Sequence, residues 1–185
     1  NFESIYTASV LFVCKNNRTL SAAAEGIFTK LLREQGPYCL EDDRKTEVEI
    51  YCESAGLYAI DGEKADRNIL KAMEEEGISI AHHRTQRACA SLYDQNDIIL
   101  TMRDEQTDEL CDSFPDLNSR VYSLSGYLAS KGMLIKDDKG RVISLAIPDP
   151  EGENYATCQQ TIKALEAWLR ILFPYIIKDI GAERA

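Results

Sequence analysis

Five apolar residues, Val10-Leu11-Phe12-Val13-Cys14, run without interruption into a polar turn, Lys15 to Ser21, and then into a helix-like stretch beginning at Ala22. A run this short and apolar reads as a buried strand. A thiol at the tip of such a strand, with a loop feeding a helix behind it, is a layout for anion binding. The helix end presents unpaired N–H groups and a positive dipole. The same field favours thiolate over thiol. Taken by itself, however, a cysteine at a strand end is most simply a packed small hydrophobe.

Further along, strands and helices alternate. Ala24, Ile27, Phe28, Leu31 and Leu32 fall at helical spacing and predict a helix over 22–35, ending near Gly36-Pro37. Glu41 to Lys45 reads as a charged surface loop, and Val48 to Cys52 as a strand that Ala55-Gly56 breaks. Ala65, Ile69 and Met73 mark a second helix stopping at Gly77. Asp97 to Met102 is a third strand, Asp104 to Cys111 a helix, and Val121 to Leu124 a fourth strand. A hairpin is expected at about 133–145 around Asp137 to Gly140. Tyr155 to Phe173 closes the chain as a helix, with Cys158, Ile162, Leu165, Leu169 and Leu172 on one face and Pro174 as its stop or kink. This order predicts one α/β domain over 1–185, a three-layer sandwich with a short four-stranded parallel sheet and helices on both faces. Ligands of such folds sit outside the carboxyl ends of the strands, where Cys14 lies.

Composition excludes several classes. The net charge of −10 makes nucleic acid a poor partner, and it repels anions at long range. Any phosphate site must therefore be built from local positive charge and backbone dipoles. No apolar run approaches the length of a bilayer span and no leader pattern opens the sequence, so a cytoplasmic location is the default expectation, without a membrane partner. The six cysteines (14, 39, 52, 89, 111, 158) show neither C-x-x-C pairs nor metal-ligand spacing. Neither a zinc site nor a disulfide framework is expected.

Val13-Cys14-Lys15-Asn16-Asn17-Arg18-Thr19-Leu20-Ser21-Ala22-Ala23-Ala24-Glu25 aligns without a gap on V-C-x-G-N-x-C-R-S-x-x-A-E, the N-terminal segment of the low-molecular-weight protein-tyrosine-phosphatases. The chain resembles that family further at Glu53-Ser54-Ala55-Gly56, at Gly62 to Asp66, at Glu76 to Arg84, at Asp97 to Met102 and at Ile147-Pro148-Asp149-Pro150. These segments follow one another in the family's order over nearly the whole chain.

The resemblance implies a phosphomonoester hydrolase that needs no cofactor. Cys14 would attack phosphorus as a thiolate, with Ser21 donating a hydrogen bond to it. Asp149 would protonate the leaving oxygen and then activate water. Residues Lys15, Asn16, Asn17, Arg18, Thr19 and Leu20 would form the phosphate-binding loop. Asn17 would take the left-handed backbone, held by His83 and Ser54. A phosphorylated protein or small phosphomonoester would be the partner, and inorganic phosphate or sulfate would occupy the loop.

One departure weighs against turnover. The family has an arginine where this chain has Leu20, a cysteine at Thr19 and a glycine at Asn16. The arginine forks two donors onto the phosphate, and losing such a group costs about 3 kcal/mol or more. Arg18 lies two residues earlier, at a position that in the family points to the rim and contacts the substrate. Three readings follow: a phosphatase of weak or redirected activity, a pseudophosphatase that binds an anionic ligand without turnover, and an arsenate-reductase-type thiol enzyme. The last needs further cysteines in a mobile segment directly after the third strand, which here reads Met102-Arg103-Asp104-Glu105, with Cys111 further on.

Overall fold

The computed structural model describes residues 1–133, 138–139 and 147–185. The first strand, β1 (Ser4–Cys14), lies at the centre of the sheet, and its alternate residues serve two different cores. Val10, Phe12 and Cys14 join one cluster with Phe28, Leu165 and Leu169, while Leu11 and Val13 join another with Tyr93, Ile99 and Leu110. Both faces are covered, which is why the run Val10–Cys14 carries no polar alternation.

Around it stand α1 (Leu20–Gln35), β2 (Tyr38–Leu40), β3 (Asp43–Gly56), α2 (Arg67–Glu75), α3 (Ala90–Gln95), β4 (Ile98–Thr101), α4 (Asp104–Ser113), β5 (Val121–Ser123), α5 (Leu124–Ser130), α6 (Tyr155–Ile180) and β6 (Ala182–Arg184). The sheet order is β5-β4-β1-β3-β2-β6. The first four strands in that order pair in parallel, and β2 and β6 add antiparallel edges. The sheet therefore has six strands among the described residues, where the sequence suggested four. The two extra strands are three residues each, too short to show a period. Residues of α1, α2, α5 and α6 contribute to the first core and residues of α3 and α4 to the second, which makes the third layer.

Two further expectations change. Asp43 to Lys45 are strand rather than loop: Glu3 N–H donates to the Lys45 carbonyl at 2.8 Å, and the charged side chains simply stay exposed. Pro174 does not end α6, which continues to Ile180 and stops at Gly181 with φ 85°. Both Pro174 and Arg170 face solvent, so the Arg170 carbonyl that Pro174 cannot serve is open to water. The hairpin expected at about 133–145 falls largely outside the described residues.

The parallel strands bring Cys14, Gly56, Thr101 and Ser123 to one edge of the sheet, with Cys14 and Gly56 as direct register partners. Beyond that edge the loop after Cys14 folds tightly against β3. Leu57 N–H donates to the Cys14 carbonyl at 2.9 Å and Tyr58 N–H to the Lys15 carbonyl at 2.8 Å. A Cβ at Gly56 would stand 2.8 Å from the Lys15 carbonyl oxygen, the Asn16 carbonyl carbon and the Asn17 nitrogen. All three are backbone atoms, so no side chain can turn aside to make room. Gly56→Ala is expected to lower stability by about 1–3 kcal/mol through this overpacking. Urea denaturation checks it, and a Gly56→Ala protein of native stability would mean that the loop is free to move.

Candidate active site

Asn17 organises the loop. It is fully buried and is the one non-glycine with positive φ (60°) among the described residues. Every polar group it carries has a partner. Its amide nitrogen donates to Ser21 Oγ at 2.8 Å and to Ser54 Oγ at 2.9 Å, and its Oδ1 accepts from Gln86 N–H at 3.0 Å. Its backbone carbonyl meets His83 Nε2 at 2.7 Å. Its backbone N–H points at Cys14 Sγ, 3.3 Å away.

The amide sets the direction of both serines. An amide N–H can only donate, so each hydroxyl accepts from Asn17 and has its own proton left to give. Ser54 gives it to Glu25 Oε1 at 2.8 Å. Ser21 lies 2.9 Å from Cys14 Sγ, with the Ala55 carbonyl a longer alternative at 3.4 Å. The chain of bonds thus runs from Asn17 outward to a carboxylate on one side and to the thiol on the other.

Cys14 is only 5% exposed. Burial pushes its thiol above the ordinary 9.0; the Ser21 hydroxyl and the backbone N–H groups of Ser21 and Asn17 pull the other way, and the Asp149 carboxylate adds to the rise. The net direction is upward, against the expectation of a thiolate drawn out by the helix end. Burial outweighs the hydrogen bonds, and no cationic side chain of the loop is among the groups that pull the thiol down. Family-like loops carry an arginine at the Leu20 position, whereas Leu20 here begins α1 with 2% exposure and packs into the core with Phe12 and Phe28.

The other loop residues face an acidic segment. Thr19 Oγ1 donates to Asp149 Oδ1 at 2.9 Å. Asn16 Nδ2 and an Arg18 guanidinium nitrogen both donate to Glu151, at 2.8 Å and 3.1 Å. Arg18 also donates from Nε to the Lys64 carbonyl at 3.2 Å and stands 3.7 Å from Glu63. Its partners are therefore carboxylates and a carbonyl of the rim. The Lys15 side chain is exposed.

The structure thus joins Cys14, Asn17, Ser21, Ser54 and His83 in one bonded cluster, and brings Asp149 to it through Thr19. Glu25, Gln86, Glu151 and Glu63 were not singled out from the sequence. Glu25 and Glu151 were traceable, since one ends the A-E motif and the other follows Asp149-Pro150. Gln86 and Glu63 act through contacts distant in sequence; Glu63 lay inside the Gly62 to Asp66 match, which gave it no role. A cavity of about 660 Å³ lies between α1 and the segment 77–83, lined by Glu25, Gly26, Lys30, Ile78, His82 and His83 among others. It touches the supporting residues rather than Cys14. Among the described residues no group of three or more His, Cys, Asp or Glu is placed to hold a metal ion, and no helix is long and apolar enough to cross a membrane.

Known proteins resemble the chain along most of its length. Low molecular weight protein-tyrosine-phosphatase PtpB of Staphylococcus haemolyticus is 28% identical over 159 residues, covering 84% of this chain and 91% of that protein. A protein-arginine-phosphatase of Bacillus subtilis is 24% identical over 170 residues, 92% of this chain and 97% of the relative. In fold, the structure of the tyrosine phosphatase Wzb from Escherichia coli in complex with sulphate superposes with a TM-score of 0.67 at 20% identity, covering 91% of this chain and 97% of that one. The profile of the family described as low molecular weight phosphotyrosine protein phosphatase matches residues 9–184. With that match added to the loop and sheet geometry, the chain belongs to the low molecular weight phosphotyrosine protein phosphatase family.

Proposed function

We propose that this chain hydrolyses phosphate from phosphorylated protein side chains, with Cys14 as nucleophile, Asp149 as proton donor and a turnover held low by Leu20. The observation that carries the reading is the placement of Cys14 Sγ, 2.9 Å from the Ser21 hydroxyl and 3.3 Å from the Asn17 N–H, at the mouth of α1. A named tyrosine phosphatase and a named arginine phosphatase among its relatives support the substrate class, phosphotyrosine or a related phosphoamino acid. The sulphate in a structural neighbour supports an inorganic anion in the loop.

On this reading Sγ attacks phosphorus, the bond from phosphorus to the ester oxygen breaks, and Asp149 gives its proton to the departing oxygen. Water, deprotonated by Asp149, then attacks the phosphocysteine and releases phosphate, with Ser21 holding the thiolate that leaves. Burial and the Asp149 carboxylate favour a resting thiol, so Cys14 must lose its proton before it attacks.

Leu20 supports a second reading, a binding protein without turnover. Its side chain is in the core and offers no donor to the equatorial oxygens. Hydrolysis of a small aryl phosphate, with Cys14→Ser as the blank, separates the two. Turnover lost in Cys14→Ser supports the enzyme. Binding of phosphate with no turnover in either protein supports the binding reading.

Three outcomes follow from the charges. Alkylation of Cys14 by iodoacetamide should climb with pH through 7–9, because the thiol lies above 9.0, and phosphate should slow it. A plateau already reached near pH 6 would mean that the helix end and Ser21 outweigh burial. Asp149→Asn should lower turnover most on substrates with poor leaving groups, read from rates across a series of aryl phosphates. Leu20→Arg should raise turnover about a hundredfold by restoring the two-donor fork, and lower thermal stability because the position is buried. Steady-state rates and a melting curve measure both.

A further inference from the structure

The segment carrying Asp149 is held on the phosphate loop by three side chains, two of which depart from the family pattern. Asn16 Nδ2 donates to Glu151 Oε2 at 2.8 Å, and Arg18 donates to Glu151 Oε1 at 3.1 Å. One carboxylate therefore bridges residues 16 and 18, on either side of the residue whose N–H points at Cys14 Sγ. Thr19 Oγ1 and Glu151 N–H both donate to Asp149 Oδ1, at 2.9 Å and 3.0 Å. Asn16 and Thr19 stand where the family pattern has glycine and cysteine, and Arg18 stands at its unspecified position. All three turn to the same acidic loop.

Arg18 is gripped unevenly. Its Nε edge is anchored on the rim by the Lys64 carbonyl at 3.2 Å and by Glu63 at 3.7 Å. Its other edge meets Glu151. That pair is partly open to water, with side-chain exposures of 34% and 27%. Such pairs are weak and yield to a stronger anion. A phosphoryl dianion offers more charge and more acceptor oxygens than a carboxylate.

We propose that Glu151 is an internal anion of the resting site, holding Arg18 and Asn16 until an arriving phosphoryl group displaces it and takes over the free edge of Arg18. The proposal rests on the reading of the Cys14 loop as a phosphate site. It gives Arg18 part of the charge that Leu20 withholds, delivered only when the ligand is present. It also couples ligand arrival to release of the loop that carries Asp149, since Glu151 and Asp149 are two residues apart.

The test is titration calorimetry with inorganic phosphate at pH 7. The proteins are the native chain, Glu151→Gln, Arg18→Ala, the double variant, and Glu153→Gln, which removes an equal charge from an exposed neighbour that makes no contact with Arg18. Glu151→Gln should tighten phosphate binding about fivefold, the size of a partly exposed pair, and Glu153→Gln should change it far less. Arg18→Ala should weaken binding, and in its background Glu151→Gln should bring no gain. A gain of equal size without Arg18, or from Glu153→Gln, would reduce the effect to general repulsion and overturn the proposal. Native binding unaltered or weakened in Glu151→Gln would overturn it while leaving the phosphate-site reading intact. Absence of phosphate binding in every protein would remove both together.

Discussion

A single buried amide holds the loop in shape. Asn17 occupies a left-handed conformation that costs a side-chain-bearing residue about 1–3 kcal/mol. Its two serine acceptors, the Gln86 N–H and the His83 ring offset that cost. Because these partners come from three separate stretches of chain, the loop is fixed by α1, β3 and the segment after His82 together. Gly56 completes the arrangement by letting β3 approach the loop backbone to within contact. Replacing the asparagine would take a donor from two buried hydroxyls and an acceptor from the part-buried Gln86 N–H at once, which is costlier than losing any one bond.

Shape and charge are separate problems in this site. The hydrogen bonds aim donors at Cys14 without supplying any full positive charge. The first turn of α1 contains no acidic residue, but the Asp149 carboxylate sits on Thr19 just ahead of it, and together with burial it pushes the thiol upward. The one guanidinium in the loop is held by carboxylates. A chain carrying a net charge of −10 cannot compensate from a distance, since solvent screens such fields within about 8–10 Å. Catalysis on the proposed reading therefore depends on charge that arrives with the substrate's own rearrangement of the rim.

Much of this was legible from the residues. The uninterrupted run Val10–Cys14 marked a strand buried on both faces, and the spacing of Ala24, Ile27 and Leu31 marked the helix behind it. Elements of three residues, β2 and β6, have no period to read. Lys45 and its neighbours looked like loop because charge is a poor guide at the outer end of a strand, where side chains remain in water. Pro174 looked like a stop because its local cost is visible in sequence, whereas the solvent-facing position that reduces the cost is a property of packing. At the site, Asn17, Ser21, Ser54 and His83 were all marked by their motifs. The upward displacement of the Cys14 thiol was missed because it is a balance. Desolvation depends on the whole surrounding core, and no motif records it.

The account's central claim is that Cys14 takes up the phosphoryl group. Acid-quenched mass spectrometry of the protein mixed with a phosphotyrosine peptide tests it most directly. The account predicts a phosphoryl adduct on the peptide containing Cys14, more abundant when Asp149→Asn slows its hydrolysis and absent in Cys14→Ser. Release of phosphate with no adduct at Cys14, or with undiminished rate in Cys14→Ser, would contradict it.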